Sequence, residues 1–287
     1  MNDGMHKVCI YHAGCPDGFG AAWATWRAWG QDAEYVARGH DDPLRPQAFE
    51  GAWVVFVDIA PPAAVADPLA EAVGHLTILD HHLSAQNQFE AEPGMVEGLR
   101  RSGHDVVFDG ERSGAVLSWQ HFHPDAALPP LLAYVQDQDL WSWALPESRE
   151  VNAAIGSYPR SFESWDALEK RAIEDLAREG ASLVRAQRIE VERALHSAHP
   201  VSLGPVRLEA VNARERRSLI GHELATRGRF GSPCGVVYRL TAGRVDISVY
   251  SIGDYDVAAL AGRFGGGGHR NAAGFSVPLE DWLARFV

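Results

Sequence analysis

Apolar residues in the first half of the chain fall into short unbroken runs separated by stretches where they recur every three or four positions. Val8–His12, Glu34–Arg38, Trp53–Asp58 (WVVFVD), His75–Asp80 (HLTILD) and Asp105–Phe108 read as strands, several with the continuous apolar character of strands covered on both faces. Between them, Phe19–Trp29, Ala60–Val73, Ser113–His121 and Pro130–Val135 carry helical spacing, with prolines opening the second and Ser113 placed to cap the third. Alternation of strand and helix predicts an α/β domain built on a mainly parallel sheet with helices on both faces. From Trp165 to about Ala198 the pattern becomes helical and highly charged, ending before Pro200. Beyond it, Arg207–Asn212 reads as a strand and Arg216–Arg227 as a helix. Gly235–Leu240 and Arg244–Ser251 form a predicted hairpin, and Val257–Phe264 is a helix running into the densest glycine cluster. The expected organisation is an N-terminal α/β domain over 1–164, a helical connector over 165–199 and a smaller mixed α/β domain over 200–287.

Charge sharpens this division. The 287 residues carry 26 basic and 38 acidic side chains, a net of -12. Residues 1–199 hold 15 basic and 30 acidic groups, net -15, and residues 200–287 hold 11 and 8, net +3. So acidic a chain is a poor sequence-blind binder of long nucleic acid, because such binding draws on many phosphate contacts. With 46% apolar residues it is globular. No stretch approaches the roughly 18 apolar residues of a membrane span, and MNDGMHKVCIYH leads directly into a strand without a signal-peptide core. Three scattered cysteines, Cys9, Cys15 and Cys234, form no disulfide framework and no CxxC pair. A cytoplasmic, reducing setting is therefore expected.

The candidate chemistry stands at strand ends, where open parallel sheets bind ligands. His12, Cys15 and Asp17 follow the first strand, Asp58 ends the third, and Asp80, His81 and His82 end the fourth. Asp137 and Asp139 follow the Pro130–Val135 helix. An aspartate such as Asp58 after a strand serves a helix cap or turn as readily as a ligand. Asp80-His81-His82 directly after LTIL is costly to bury unless it binds something. A mixed carboxylate and imidazole set suits a first-row divalent ion such as manganese, and two ions about 3.5–4 Å apart can clamp a phosphoryl group.

The segments HAGCPDGFGAA at 12–22, VDIAPP at 57–62, LDHH at 79–82 and QDQDLW at 136–141 resemble the DHH phosphoesterase family. DVAALAGRFGGGGHRNAAGF at 256–275 is similar to the family's DHH-associated domain, A1 subtype, and the motifs span nearly the whole chain in the family's order. The resemblance is to oligoribonuclease-type and exopolyphosphatase-like members. It implies two domains with the active site in the cleft between them and two manganese ions, magnesium being admissible. His12 would hold the first ion, Asp17 the second, Asp58 would bridge, and His81 and Asp137, preferred over Asp139, would complete the second. Asp80 would orient or assist, and His82 would face the scissile phosphate. Gly266, Gly267, Gly268, His269, Arg270 and Asn271 would bind substrate. The family usually carries two aspartates in its first motif; here Cys15 takes the earlier place, either as a soft ligand or as a small buried thiol that weakens that site. Tyr250 in ISVYS replaces an arginine common among relatives, for base stacking or packing. The implied reaction is hydrolysis of short oligoribonucleotides or dinucleotides to mononucleotides. The alternatives are a 3′,5′-bisphosphonucleotide phosphatase, an exopolyphosphatase, a cyclic-dinucleotide phosphodiesterase and a nucleotide-binding regulator without turnover. Neither a long duplex nor a membrane is expected as partner, and a homodimer is allowed.

Trp23, Trp26 and Trp29, three apart on one helix, are expected in packing. Arg112-Ser113-Gly114 at a helix start fits either an anion site or a cap.

Overall fold

A computed structural model describes residues 4–39 and 42–287. The chain divides into two compact units, Met1–Val184 and Arg185–Val287.

In the first unit the elements run β1 Lys7–His12, α1 Pro16–Trp29, β2 Glu34–Arg38, β3 Trp53–Val57, α2 Ala63–Ala72, β4 His75–Asp80, α3 Leu83–Glu90, α4 Met95–Arg101, β5 Asp105–Phe108, α5 Gly114–Phe122, α6 Pro130–Asp139, α7 Ser148–Ile155 and α8 Phe162–Glu169. Helix α9, Ile173–Leu195, crosses the division between the units. The five strands form one sheet in the order β2-β1-β3-β4-β5, every pair parallel. Strand alternation divides the apolar side chains between the faces. Val8, Ile10, Val54, Phe56, Leu76 and Ile78 pack with Ala66, Leu69, Phe89 and Leu99 of α2, α3 and α4. Cys9, Val55, Val57 and Leu79 pack with Ala21, Ala22 and Trp29 of α1 and Leu117 of α5. The expected parallel α/β sheet, covered on both faces, is what the chain forms. The tryptophans of α1 are packing residues: Trp23 is buried beside Trp119 and Trp165, and Trp26 stacks on Phe162.

Several element ends differ from the sequence expectation. Helix α1 begins three residues early, at Pro16, because Cys15 sits extended before it and Pro16 takes the first helical turn, where its missing N–H costs nothing. Helix α2 begins at Ala63 rather than Ala60, since Pro61 biases Ala60 away from helix and Pro62 acts as the N-cap. Helix α6 continues past Val135 to Asp139 and so carries both candidate aspartates in its last turn. The charged helical stretch breaks at 170–172 into α8 and α9, and α9 stops at Leu195, ahead of Pro200.

The second unit contains β6 His199–Leu203, β7 Val206–Asn212, α10 Arg217–Arg227, β8 Cys234–Thr241, β9 Arg244–Ser251, α11 Val257–Gly262, β10 Gly267–His269, β11 Ala272–Pro278 and α12 Leu279–Arg285. Its sheet has the order β10-β11-β9-β8-β7-β6 and is mixed, with β7 and β8 parallel and the other neighbours antiparallel. Helices α11 and α12 cover one face through Val257, Leu260, Trp282 and Phe286, and α10 with the end of α9 covers the other through Ile220, Leu224, Val191 and Leu195. Strands β6, β10 and β11 and the short helices α3, α4, α7 and α12 carried no clear sequence signal. No helix among the described residues is long and apolar enough to cross a membrane.

Candidate metal centre

The centre sits at the carboxyl ends of β1, β3 and β4. Strand β1 ends in His12, β3 delivers Asp58 one residue beyond its end, and β4 ends in Asp80 followed by His81 and His82. Parallel strands in register deliver these residues to one edge of the sheet.

Asp58 is central. Its side chain is 1% exposed and its backbone is left-handed, with φ 57°. An aspartate tolerates that conformation better than most residues, but it still costs on the order of 1 kcal/mol. The turn is held by the Asp58 N–H donating to the Leu79 carbonyl at 2.9 Å. Its two carboxylate oxygens face different groups. Oδ2 lies 3.3 Å from His12 Nδ1 and 3.3 Å from Cys15 Sγ. Oδ1, fully buried, lies 3.0 Å from His81 Nε2.

Around His81 Nε2 stand three carboxylates, Asp58 at 3.0 Å, Asp139 at 3.4 Å and Asp17 at 3.6 Å. Asp17 is held by the start of α5, whose Gly114 and Ala115 amides donate to its two oxygens at 2.7 and 3.1 Å. The helix start at Arg112-Ser113-Gly114 thus receives an anion from within the chain, the Asp17 carboxylate, while Ser113 Oγ caps it by accepting from Val116. A Cβ on Gly114 would overlap the Asp58 side chain and lie 2.7 Å from its Cα, so only glycine permits α5 to approach this closely.

The expected role of Asp137 is corrected in its geometry. Residues two apart on a helix point about 200° apart, so α6 cannot turn both carboxylates to His81. Asp137 accepts from the amides of Ala144 and Leu145 at 2.8 and 3.3 Å and ties down the loop after α6. Asp139 is the one brought to His81. Asp139 stands at helical spacing from Leu132 and Val135, although it is itself exposed and Asp137 is the buried one of the pair.

Asp80, 0% exposed, faces away from these groups. Its Oδ1 accepts from the amides of His81 and His82 at 2.8 and 3.2 Å and pairs with His82 Nδ1 at 2.7 Å. It therefore positions both histidines, and His82 presents Nε2 on the side away from Asp80. Within the first unit, two groupings meet the proximity that one ion requires: His12 with Asp58 and His82, and Asp17 with His81 and Asp139.

The electrostatics follow from burial and crowding. Burial, then the carboxylates of Asp58 and Asp139, push the Asp17 pKa well above the ordinary range. Burial opposes ionisation of Asp58 too, but hydrogen bonds from His12 and His81 outweigh it and hold its pKa well below that range. Burial alone would lower His81, yet Asp58, Asp17 and Asp139 raise it to about 10. Burial, then Asp58 and Asp17, push the Cys15 thiol well up. Two buried carboxylates, Asp17 and Asp58, with the more exposed Asp139 around one imidazole are a donor set fitted to divalent cations, which relieve the repulsion protons otherwise must.

The glycine segment belongs to the second unit and is not a loop. Gly266 precedes β10, and Gly267, Gly268 and His269 form β10, paired with Gly274, Ala273 and Ala272 of β11. Gly268 is at φ 139°, and a Cβ there would lie 2.6 Å from the Ala272 carbonyl oxygen, so close strand approach explains that glycine. Asn271 donates through its side-chain amide to Ser251 Oγ and the Gly253 carbonyl, both at 2.9 Å, and Arg270 donates to the Asp254 carbonyl at 2.8 Å. Tyr250 packs against Gly221 of α10, the packing alternative of the two.

No protein-family model matches the chain. It is similar to an uncharacterised protein, R106, of Acanthamoeba polyphaga mimivirus, 27% identical over 96% of this chain and 68% of that one. It is also similar to the oligoribonuclease NrnB of Bacillus subtilis, 24% identical over 73% of this chain and 54% of that one. The chain thus spans about half the length of NrnB. Among solved structures, an exopolyphosphatase-related protein from Bacteroides fragilis superposes with a TM-score of 0.50 at 14% identity, covering 97% of this chain and 89% of that one. The two-domain α/β architecture is therefore a fold shared with that protein.

Proposed function

We propose that this protein is a metal-dependent phosphoesterase of the DHH type that hydrolyses short oligoribonucleotides or dinucleotides to mononucleotides. The observation that carries the reading is the division of the Asp58 carboxylate, one oxygen toward His12 and the other toward His81. A buried carboxylate shared in this way would hold both ions of a two-ion centre. The similarity to NrnB supports the substrate class.

Asp17, Asp58, His81 and Asp139 would hold one divalent ion, manganese in this reading, and His12 and Asp58 the core of the other. When bound, the ions supply positive charge that activates a water and neutralises the phosphoryl oxygens. The chain does the rest. Asp58 sets the spacing of the two donor groups through its strained turn. The α5 amides orient Asp17. Asp80 fixes the His82 ring through Nδ1, so that Nε2 can donate to the phosphoryl group or to the leaving oxygen. Gly266, Gly267, Gly268 and His269 are proposed to contact substrate from the second unit, together with Arg270. Asn271 would act chiefly by shaping that hairpin.

The test is a substrate panel with manganese-reconstituted protein: a diadenylate, a longer RNA, a 3′,5′-bisphosphonucleotide and polyphosphate. The reading expects mononucleotide from the diadenylate at the highest kcat/KM, and loss of turnover in His81→Ala. Binding of the diadenylate without release of mononucleotide would replace it with a non-catalytic, nucleotide-binding role.

A further inference from the structure

The first donor group departs from a carboxylate and imidazole set because Cys15 stands in it. Its Sγ lies 3.5 Å from His12 Nδ1 and 3.3 Å from Asp58 Oδ2, and those two atoms are 3.3 Å apart. Three donors of three kinds, nitrogen, sulfur and oxygen, therefore form a nearly equilateral triangle. A tetrahedral ion bonded at about 2.0–2.3 Å has donor–donor edges of about 3.3–3.8 Å, whereas an octahedral ion at about 2.0–2.1 Å has edges of about 2.8–3.0 Å. The triangle matches the former.

The other cysteines differ. Cys9 and Cys234 are buried among apolar side chains of the two cores, as inert packed thiols are. Cys15 has polar neighbours instead. It also caps α1, accepting from the Gly18 amide at 3.2 Å. Cysteine is not among the preferred capping residues, which are serine, threonine, aspartate and asparagine, so capping does not explain the choice of sulfur. The first turn of α1 is pressed onto the end of β1: a Cβ on Gly18 would overlap the His12 carbonyl and lie 2.9 Å from His12 Cβ. That contact holds His12 and Cys15 together. The Asp58 carboxylate is buried and shared, with Oδ2 toward this triangle and Oδ1 3.0 Å from His81 Nε2.

We propose that Cys15 is a metal ligand, and that His12, Cys15 and Asp58 form a site for a borderline-soft, tetrahedral divalent ion of the zinc and cobalt class beside the harder Asp17–His81–Asp139 site. Binding replaces the thiol proton, which passes to solvent as the metal–sulfur bond forms. Soft thiolate among the donors shifts selectivity away from manganese and magnesium at this position only. The inference rests on the two-ion reading in that an ion must bind here, but not on the substrate.

The experiment is a stepwise titration of the metal-free protein with Co²⁺, read by absorption, for the wild type and for Cys15→Ser and Cys15→Asp. Serine and aspartate are better caps than cysteine, so both variants keep the start of α1. A near-ultraviolet thiolate-to-cobalt charge-transfer band in the wild type, saturating at one equivalent and absent from both variants, is expected. Zinc should also be preferred over manganese by about tenfold or more relative to Cys15→Asp, a conservative figure since even outer partners of a metal alter affinity 10–100-fold. As a second measurement on the wild type, one equivalent of zinc should slow alkylation of Cys15, mapped by mass spectrometry. Cobalt bands in the visible without a charge-transfer band, a charge-transfer band surviving in Cys15→Ser, or alkylation indifferent to zinc would overturn the assignment while leaving the metal centre intact. Failure of the wild type to take up any cobalt or manganese would instead bring down the two-ion reading itself, and this inference with it.

Discussion

Asp139 Oδ2 stands 3.4 Å from His81 Nε2, whereas Asp137, two residues earlier on the same helix, turns its carboxylate to the amides of Ala144 and Leu145. The two aspartates should therefore fail differently. Asp139→Ala is expected to lose an ion and to lower turnover by at least about 10–100-fold, the range that even outer partners of a metal command, with little change in Tm. Asp137→Ala should lower stability by about 1–3 kcal/mol, toward the lower end because the loop is partly solvated, and should keep its metal. Metal content by mass spectrometry alongside thermal unfolding separates the two. Equal metal loss in both variants would contradict the assignment.

Gly114 and Asp58 are in contact so close that a methyl group has no room. Gly114→Ala should displace either the bridging carboxylate or the start of α5, which also holds Asp17 through the Gly114 amide. A loss of about 1–3 kcal/mol is expected from the overpacking, together with weaker binding of both ions. Denaturant unfolding and metal titration measure the two effects. Wild-type affinity for both ions would show that α5 does not constrain the centre.

In the proposed function Asp80 would act through His82, whose Nδ1 it contacts at 2.7 Å, rather than on substrate. Asp80→Asn keeps the shape and one accepting oxygen but removes the negative charge beside His82 Nδ1 and buries an amide NH2 where Oδ2 has no partner, so the His82 ring is held less firmly. Turnover should fall by about 10–100-fold at nearly unchanged KM and unchanged metal content. A fall confined to KM, or a loss of metal, would assign Asp80 a different role.

The raised pKa of His81, about 10, has a sign that can be measured. Because it exceeds the ordinary value of 6.5, the metal-free protein carries this proton at pH 7.5. The stabilisation from the charged imidazole is complete below pH 6.5 and is lost as pH rises through about 10. An ion replaces that proton, so binding releases protons and its affinity falls as pH is lowered. Calorimetric titration of manganese in two buffers of different ionisation enthalpy should show release of at least one proton per chain at pH 7.5. Binding heats independent of buffer would exclude it.

Local pattern carried much of this. Strand β4 falls at the residues its apolar run marked and β3 ends one residue short of the expected Asp58, because nearly fully buried parallel strands leave no alternative use for WVVFV or HLTIL; the more exposed β2 and β5 match their expected bounds as well. The same pattern set His12, Asp58 and His81 at strand ends, since a strand that terminates in polar residues terminates at the edge of the sheet. Glycine was less legible. The run after α11 was expected to bind substrate and carried no strand signal, but pairing with β11, an interaction between segments rather than within one, made it part of a hairpin.

What only the tertiary structure decided was direction. Composition and spacing cannot say which way a side chain turns once its helix is docked. Asp137 and Asp139 differ by about 200° around α6, and the packing of that helix on α1 and α5 chose Asp139 for the centre. Sequence left Cys15 between a ligand and a packed thiol; the pressing of α1 onto the end of β1 aims its sulfur between His12 and Asp58. The residues that the centre needs are written in the chain, but which of their atoms meet depends on contacts between segments up to about a hundred residues apart, such as Asp17 with Gly114.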